Sequence, residues 1–510
     1  MSTGGDDPVE RLHESRAINV DEFDEWVREE AMVIKEHLET GTFDNEGRAV
    51  GLEHEFYAVD ERSHSVRRAP ESLLACLGFE RELGLHMVEL NTNPQPCNAW
   101  GIETLLAESR AKLQALQERA GTEQIRIVSD GTWTIGPEHN STENYLTEAT
   151  REAGLTLGIN VSNGFRYHGF ASGHRALNGS VDVPGATIDS DTTGPATLTL
   201  SIQPHYQFRS AAALPDHHGN ALRIAGPLLA LAANSPFLPP GLYDVAEPGR
   251  ELLLEEAWTE HRIPIQEDVM NPVDGSTKVR FPADIDTPEE AVERIVEDHT
   301  IVPAEIDGGG RFDGAFVHFR HKHGTHWRWI RPVFEGATEE TANVRIEFRP
   351  IPAQPTIPDT VAVVAAFAGL MRALYEGEHP ASELAWSVAR DNFYAVARDG
   401  IDAGLTWETA DGERTTDSTV LFADLLDTAT DGLRQHGLTA AQAREWIDPL
   451  RARVETGQTP AGWKRSVVTS ALDDGRPASE AIETMQRRYI EQQAETLYTG
   501  HVTDWPEPSY

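Results

Sequence analysis

The sequence predicts an α+β fold in which one sheet turns an apolar face to helices and a polar, concave face outward. Three observations carry this expectation. Short segments alternate apolar and charged residues with the period of two of a β-strand, and longer segments with helical apolar spacing lie between them. From about Ala381 onward the pattern is mostly helical. Strands and helices do not alternate regularly, which argues against a doubly wound parallel sheet.

Taken in order, Val20 to Thr40 has helical spacing and ends near Gly41, a plausible stop. Further helices are predicted over Ile102–Glu118, Leu222–Ala233, Pro288–Asp298 and Thr360–Leu374, the last with Asp359 as N-cap. Gly173–Pro195 and Gln266–Gly310 are rich in turn residues and are expected to be surface insertions. The helical pattern after Ala381 breaks at GLTW, TGQTPAG and DDGRPAS, which divides the chain into a core over residues 1–380 and a C-terminal helical segment over 381–510.

Composition restricts the partners. Among 510 residues, 83 are acidic and 43 basic, giving a net charge of -40. Phosphate backbones and anionic membranes need basic surface, and lysine occurs only at Lys35, Lys112, Lys278, Lys322 and Lys464, so neither nucleic acid nor membrane is expected as a partner. A lysine-poor acidic surface is expected where concentrated salt screens self-repulsion. Cys76 and Cys97 are too few for a disulfide framework, and neither is expected to be catalytic. The opening segment lacks the basic and apolar regions of a signal peptide, so a cytoplasmic protein is expected. The longest apolar run, Val361–Met371, is shorter than the roughly 20 residues of a bilayer span and is expected to be a buried helix.

Function is written in five segments where charge interrupts apolar sequence. In AVGLEHEFYAVD, Glu53 and Glu55 share a strand face; HMVELNT presents Glu89; TLSIQPHYQF presents Gln203, His205 and Gln207. HWRWIRP places Trp329 with Arg331, and VRIEFRP places Arg345, Glu347 and Arg349 together. Gathered on one sheet, Glu53, Glu55, Glu89, His205, Glu347, Arg331 and Arg349 would suit a metal–nucleotide site. Carboxylates are hard ligands for Mg2+ or Mn2+, and arginines hold phosphate or substrate carboxylate. Glu82 is a weak metal candidate and reads more as a surface residue. The four histidines His318, His321, His323 and His326 match no standard zinc spacing.

These segments resemble, in order, the motifs of the glutamate-cysteine ligase and carboxylate-amine ligase family. GLEHEF resembles its opening strand, MVELNTNPQP its second carboxylate motif, and HYQF its histidine strand. LLALAANSPF is similar to its characteristic helix, WRWIRP to its substrate-contacting strand, and IEFRPIPAQPT to its last catalytic strand. The resemblance spans about Gly51 to Leu374 and implies a funnel-shaped, mostly antiparallel, glutamine-synthetase-like sheet with helices on its outer face. It implies metal-ligand roles for Glu53, Glu55, Glu89, His205 and Glu347, catalytic contacts from Arg331 and Arg349, and nucleotide contacts from Arg349 and Trp329.

The chemistry so implied uses ATP and Mg2+ or Mn2+. The γ-carboxylate of glutamate takes the γ-phosphoryl group, and an amine, with cysteine as the leading acceptor, displaces phosphate from the acyl phosphate. Pro352 and Gln207 stand where relatives often have aspartate and a second histidine, which leaves the acceptor open. The alternatives are another amine acceptor, a Mg-ATP-dependent phosphotransferase of guanidino-kinase type, and a non-catalytic paralogue.

Overall fold

The computed structural model describes residues 7–75, 78–172, 177–272, 274–377 and 379–506. Seven strands form the main sheet: β1 (Ala49–Asp60), β2 (Met87–Asn91), β3 (Gln95–Pro96), β4 (Ile125–Val128), β5 (Ile202–Gln207), β6 (Ile330–Glu335) and β7 (Asn343–Phe348). Their order is β6-β7-β5-β1-β2, with β3 and β4 also on β1, and every pairing is antiparallel. The twelve-residue β1 is the pivot. Along one edge it pairs β5 at Ala49–His54 and β4 at Tyr57–Asp60; along the other it pairs β3 at Ala49–Val50 and β2 at Glu53–Tyr57. By changing partners along its length, β1 joins strands on both of its edges into one sheet.

Strand parity decides which side is buried. Leu52, Phe56, Val88, Leu90, Ile202, Tyr206, Ile346 and Phe348 are each no more than 2% exposed and form one face. His54 also points there, and burial lowers its pKa to about 3, so the ring is neutral; its Nε2 lies 2.8 Å from Ser129 Oγ.

Helices cover that face. The helix predicted from Thr360 begins three residues earlier, at Ile357, and runs to Glu376. Its N-cap is Thr356, whose hydroxyl accepts the Asp359 N–H; Asp359, assigned as cap from sequence, instead stands in the first turn. The helix has the length and apolar composition to cross a membrane but is almost wholly buried in the protein. It crosses the helix Ser418–Gln435 closely enough that a Cβ on Gly432 would meet Gly369 O at 1.8 Å. Only glycine allows this approach, which locks the C-terminal helices onto the sheet's cover.

The remaining predicted helices occupy Val20–Glu39, Ala99–Gly121, Leu214–Ala232 and Pro288–Val296. The two insertion segments carry more order than their turn-rich sequences imply. The first holds the hairpin Val181–Val183 with Ala186–Ile188, and the second overlaps the helix Arg262–Met270 and contains Pro288–Val296. His318, His321 and His323 lie on a helix, Val317–His323, and not on a strand. Cys97 is buried and free, and burial raises its thiol pKa well above the ordinary value, in keeping with an inert role; Cys76 lies outside the described residues.

Candidate active site

Cross-strand register places the polar residues in rows. Arg331 stands opposite Glu347, Glu347 opposite His205, and His205 opposite Gly51. The next row joins Gln203, Glu53 and Asn91, and the third joins Glu55 to Glu89. All of these side chains therefore leave the same face.

At one end of this face three carboxylates meet. Oxygens of Glu55, Glu82 and Glu89 lie within 4.8 Å of one another. Glu55 accepts the Ser201 N–H at 2.6 Å and Gln203 Nε2 at 3.1 Å, and Glu89 accepts Asn91 Nδ2 at 3.0 Å. Burial raises the Glu55 pKa to about 7, and the charge of Glu82 adds to it against Arg262, the Ser201 N–H and Arg349. Burial, then Glu53, Glu82 and Glu55, push Glu89 well above the carboxylate range. Such a cluster of hard oxygen donors, with Glu55 and Glu89 kept from ionising first by burial and then by neighbouring carboxylates, fits a divalent cation that would relieve the repulsion.

Glu82, a weak metal candidate by sequence and expected at the surface, instead joins the carboxylate cluster. It is half-buried, its carboxylate accepting Tyr167 OH at 3.2 Å. A bridge between Glu80 and Glu89, with N–H···O distances of 3.0 and 2.9 Å, presses the preceding loop against β2 and swings Glu82 onto the polar face. No periodicity in a loop encodes that placement.

The other end is held by arginines. Arg331 grips Glu347 bidentately, Nε to Oε2 at 2.8 Å and Nη2 to Oε1 at 3.0 Å, while its Nη1 donates to the carbonyls of His323 and His326. Arg349 Nη1 donates to both Glu347 and Gln203. Burial would raise the Glu347 pKa, but Arg331, Arg349 and His205 outweigh it and hold the carboxyl well below its ordinary value. His205 Nδ1 accepts Arg345 Nε at 3.1 Å; its Nε2 lies 3.2 Å from Glu53 Oε1 without making a hydrogen bond. Of the five residues read from sequence as metal ligands, Glu55 and Glu89 thus join the carboxylate cluster. Glu53 and His205 face each other beside it, and Glu347 is clamped by guanidiniums.

Two cavities open on this face and meet at Glu53 and Asn91. The first, about 360 Å³, contains the three carboxylates together with Arg262, Trp329, Arg331 and Arg349. Arg262 has no signal in the sequence: it comes from the helix Arg262–Met270, lies over the Trp329 ring at 5.1 Å, and donates to Arg349 O at 2.9 Å. Arg166 and Tyr167 also line this cavity and were likewise unmarked. The second cavity, about 370 Å³, has an apolar floor from Ala49, Pro94 and Ala337 and a polar wall from His205, Gln207 and Arg345.

Residues 49–496 match the family described as Glutamate-cysteine ligase family 2. A search among curated proteins finds no match. Among solved structures the chain is similar to glutamate–cysteine ligase from Francisella tularensis in complex with AMP, at 13% identity and a TM-score of 0.51, covering 91% of this chain and 92% of that one. It is also similar to a bifunctional glutathione synthetase from Pasteurella multocida, at 12% identity and a TM-score of 0.48, covering 92% of this chain and 55% of that one. The first likeness is one of fold, and the antiparallel sheet with its polar face accords with it. With the family matched over most of its length, the chain belongs to glutamate-cysteine ligase family 2 and is an ATP-dependent ligase of the carboxylate-amine type.

Proposed function

We propose that this enzyme joins the γ-carboxylate of glutamate to the amine of cysteine at the expense of ATP, giving γ-glutamylcysteine, ADP and phosphate. The observation that carries the reading is the pair of adjoining cavities on one polar face, one charged and one with an apolar floor, meeting at Glu53 and Asn91. The apolar-floored cavity suits a nucleotide base, with Arg345 toward its phosphates. The charged cavity suits glutamate, with Arg262 and Arg349 available to carboxylate and phosphoryl oxygens and Trp329 as a wall.

In the proposed reaction a γ-carboxylate oxygen bonds to the γ-phosphorus as ADP leaves. The amine then bonds to the acyl carbon, phosphate leaves, and the amine loses a proton. Glu55, Glu82 and Glu89 would hold Mg2+ or Mn2+, which supplies charge neutralisation for phosphoryl transfer when bound. The family resemblance adds Glu53, His205 and Glu347 as ligands. With Nδ1 accepting from Arg345, a neutral His205 carries its proton on Nε2, so ligation through that atom requires Arg345 to release the ring. The protein's own work is positioning and electrostatic stabilisation, without a covalent nucleophile.

A cytoplasm rich in salt is part of the same reading. Three of the five lysines are buried in ion pairs, Lys278 with Asp298, Lys322 with Asp24 and Lys464 with Asp130, which leaves little lysine for the surface. The test is to incubate the protein in high KCl with Mg-ATP, glutamate and an amine panel, and to identify products by mass. Cysteine should stimulate ADP release far more than alanine, ammonia or putrescine, with a thiol dipeptide accumulating. Preference for putrescine or ammonia would overturn the acceptor; ADP release without any amide would favour a phosphotransferase.

A further inference from the structure

A separate cavity lies behind β6. Strand parity sends Trp329 and Arg331 to the catalytic face, while Ile330 and Pro332 line a hollow of about 720 Å³ on the reverse side. In a chain of net charge -40 this hollow is cationic. Arg280, Arg294 and Arg328 line it, and Lys278 stands behind with its ammonium 2.7 Å from Asp298. Two acids line it against these three arginines: Glu297, which is exposed, and Asp298, which is already shared by Lys278, His326 and Arg328. Arg294 is paired with Glu290, but Arg280 has no carboxylate partner among the described residues, and its Nη1 donates to Thr277 Oγ1 at 2.9 Å.

A second feature points to a ligand. His218 lines the hollow at 2% exposure, and its Nδ1 has no hydrogen-bond partner. A buried polar atom in that state costs stability unless something bonds to it. Phe281 and Trp386 add aromatic surface to the wall. The volume falls in the range of small-molecule sites and exceeds what a lone inorganic ion fills.

We propose that this hollow binds a small metabolite bearing a multiply charged oxyanion group, and that binding acts on the catalytic face through β6. The route is short. Arg280 O accepts the Trp329 N–H at 3.2 Å, so the backbone of an anion-binding residue holds the strand entry whose side chain walls the catalytic cavity. Arg328 lines both cavities, and the carbonyl of His326 accepts from Arg331 at 3.3 Å. The coupling rests on the ligase reading, whereas the binding does not.

The test uses equilibrium dialysis of the metal-free full chain with labelled inorganic phosphate in one arm and citrate in the other, at fixed ionic strength. Wild type should bind one anion, and whichever arm binds identifies phosphate or carboxylate chemistry. Arg280→Glu, a change at an exposed side chain, should weaken binding at least tenfold. His218→Leu should weaken it several-fold, and Arg349→Gln should leave it unchanged. The bound anion should shift the KM for glutamate in wild type and not in Arg280→Glu, whose basal turnover should stay within twofold. Binding by Arg280→Glu equal to wild type, absence of binding in both arms, or loss of all binding in Arg349→Gln would overturn the site. An unmoved KM in wild type would overturn the coupling.

Discussion

Replacing Glu347 with glutamine separates a clamp from a free ligand. Read from sequence alone, Glu347 is one more metal-facing carboxylate, and its amide should leave the fold intact. In the structure it is 2% exposed and compensates two guanidiniums, Arg331 through two parallel hydrogen bonds and Arg349 through one. Glutamine keeps the shape but removes the charge and turns N–H donors toward donors. Breaking a buried pair by removing one partner costs about 3–5 kcal/mol. Because Arg331 keeps the carbonyls of His323 and His326, and Arg349 keeps Gln203, the lower end of about 3 kcal/mol is expected, roughly a hundredfold in the folding equilibrium. The assay is guanidinium chloride unfolding followed by tryptophan fluorescence, compared by midpoints, with Glu53→Gln alongside. Glu53, whose side chain is 31% exposed, should shift the midpoint little, while both variants lose ATP turnover. The pH dependence has a definite sign. A carboxyl held below its unfolded pKa contributes stability above that value and loses it as pH falls through the folded one, so the gap between wild type and Glu347→Gln should persist at pH 5 and close only in stronger acid. A Glu347→Gln midpoint equal to wild type would refute the clamp.

Other consequences follow from the same structure. Glu82→Gln should weaken Mn2+ binding at least tenfold with little change in thermal stability, read by electron paramagnetic resonance; unchanged binding would take Glu82 out of the cation site. Lys464→Met leaves Asp130 buried without its cation and should cost about 3–5 kcal/mol, seen as an earlier unfolding midpoint. Burial raises the Glu267 pKa to about 7, although Trp329 Nε1 and Tyr394 OH both donate to it. A raised folded pKa gives stability that is complete below the unfolded value of about 4.3 and is lost as pH rises through 7, so Glu267→Gln should gain on wild type between pH 5 and 8. Lowering KCl from about 1 M to 0.1 M lengthens the Debye length from about 3 to 10 Å and should lower the melting temperature; a flat response would contradict adaptation to salt.

What the sequence determined by itself was the parity of its strands. Leu52 and Phe56 against Glu53 and Glu55, or Ile346 and Phe348 against Glu347 and Arg349, can be sorted onto two faces because a strand's period of two is a local property. The long apolar helix at Ile357–Glu376 was legible for the same reason, down to its buried role but not its cap, because the helix starts three residues before the predicted Thr360 and Thr356, not Asp359, takes the capping position. Tertiary structure alone decided which polar residues touch. Glu82 reaches Glu55 and Glu89 only because a bridge between Glu80 and Glu89 docks its loop, and Arg262 reaches Trp329 from the start of a helix that the sequence reading did not mark. It also paired Glu347 with Arg331 and Arg349, and set Arg280 and His218 behind β6. Contacts between residues far apart in sequence depend on how the strands pair and how the loops dock, and no local periodicity carries that information.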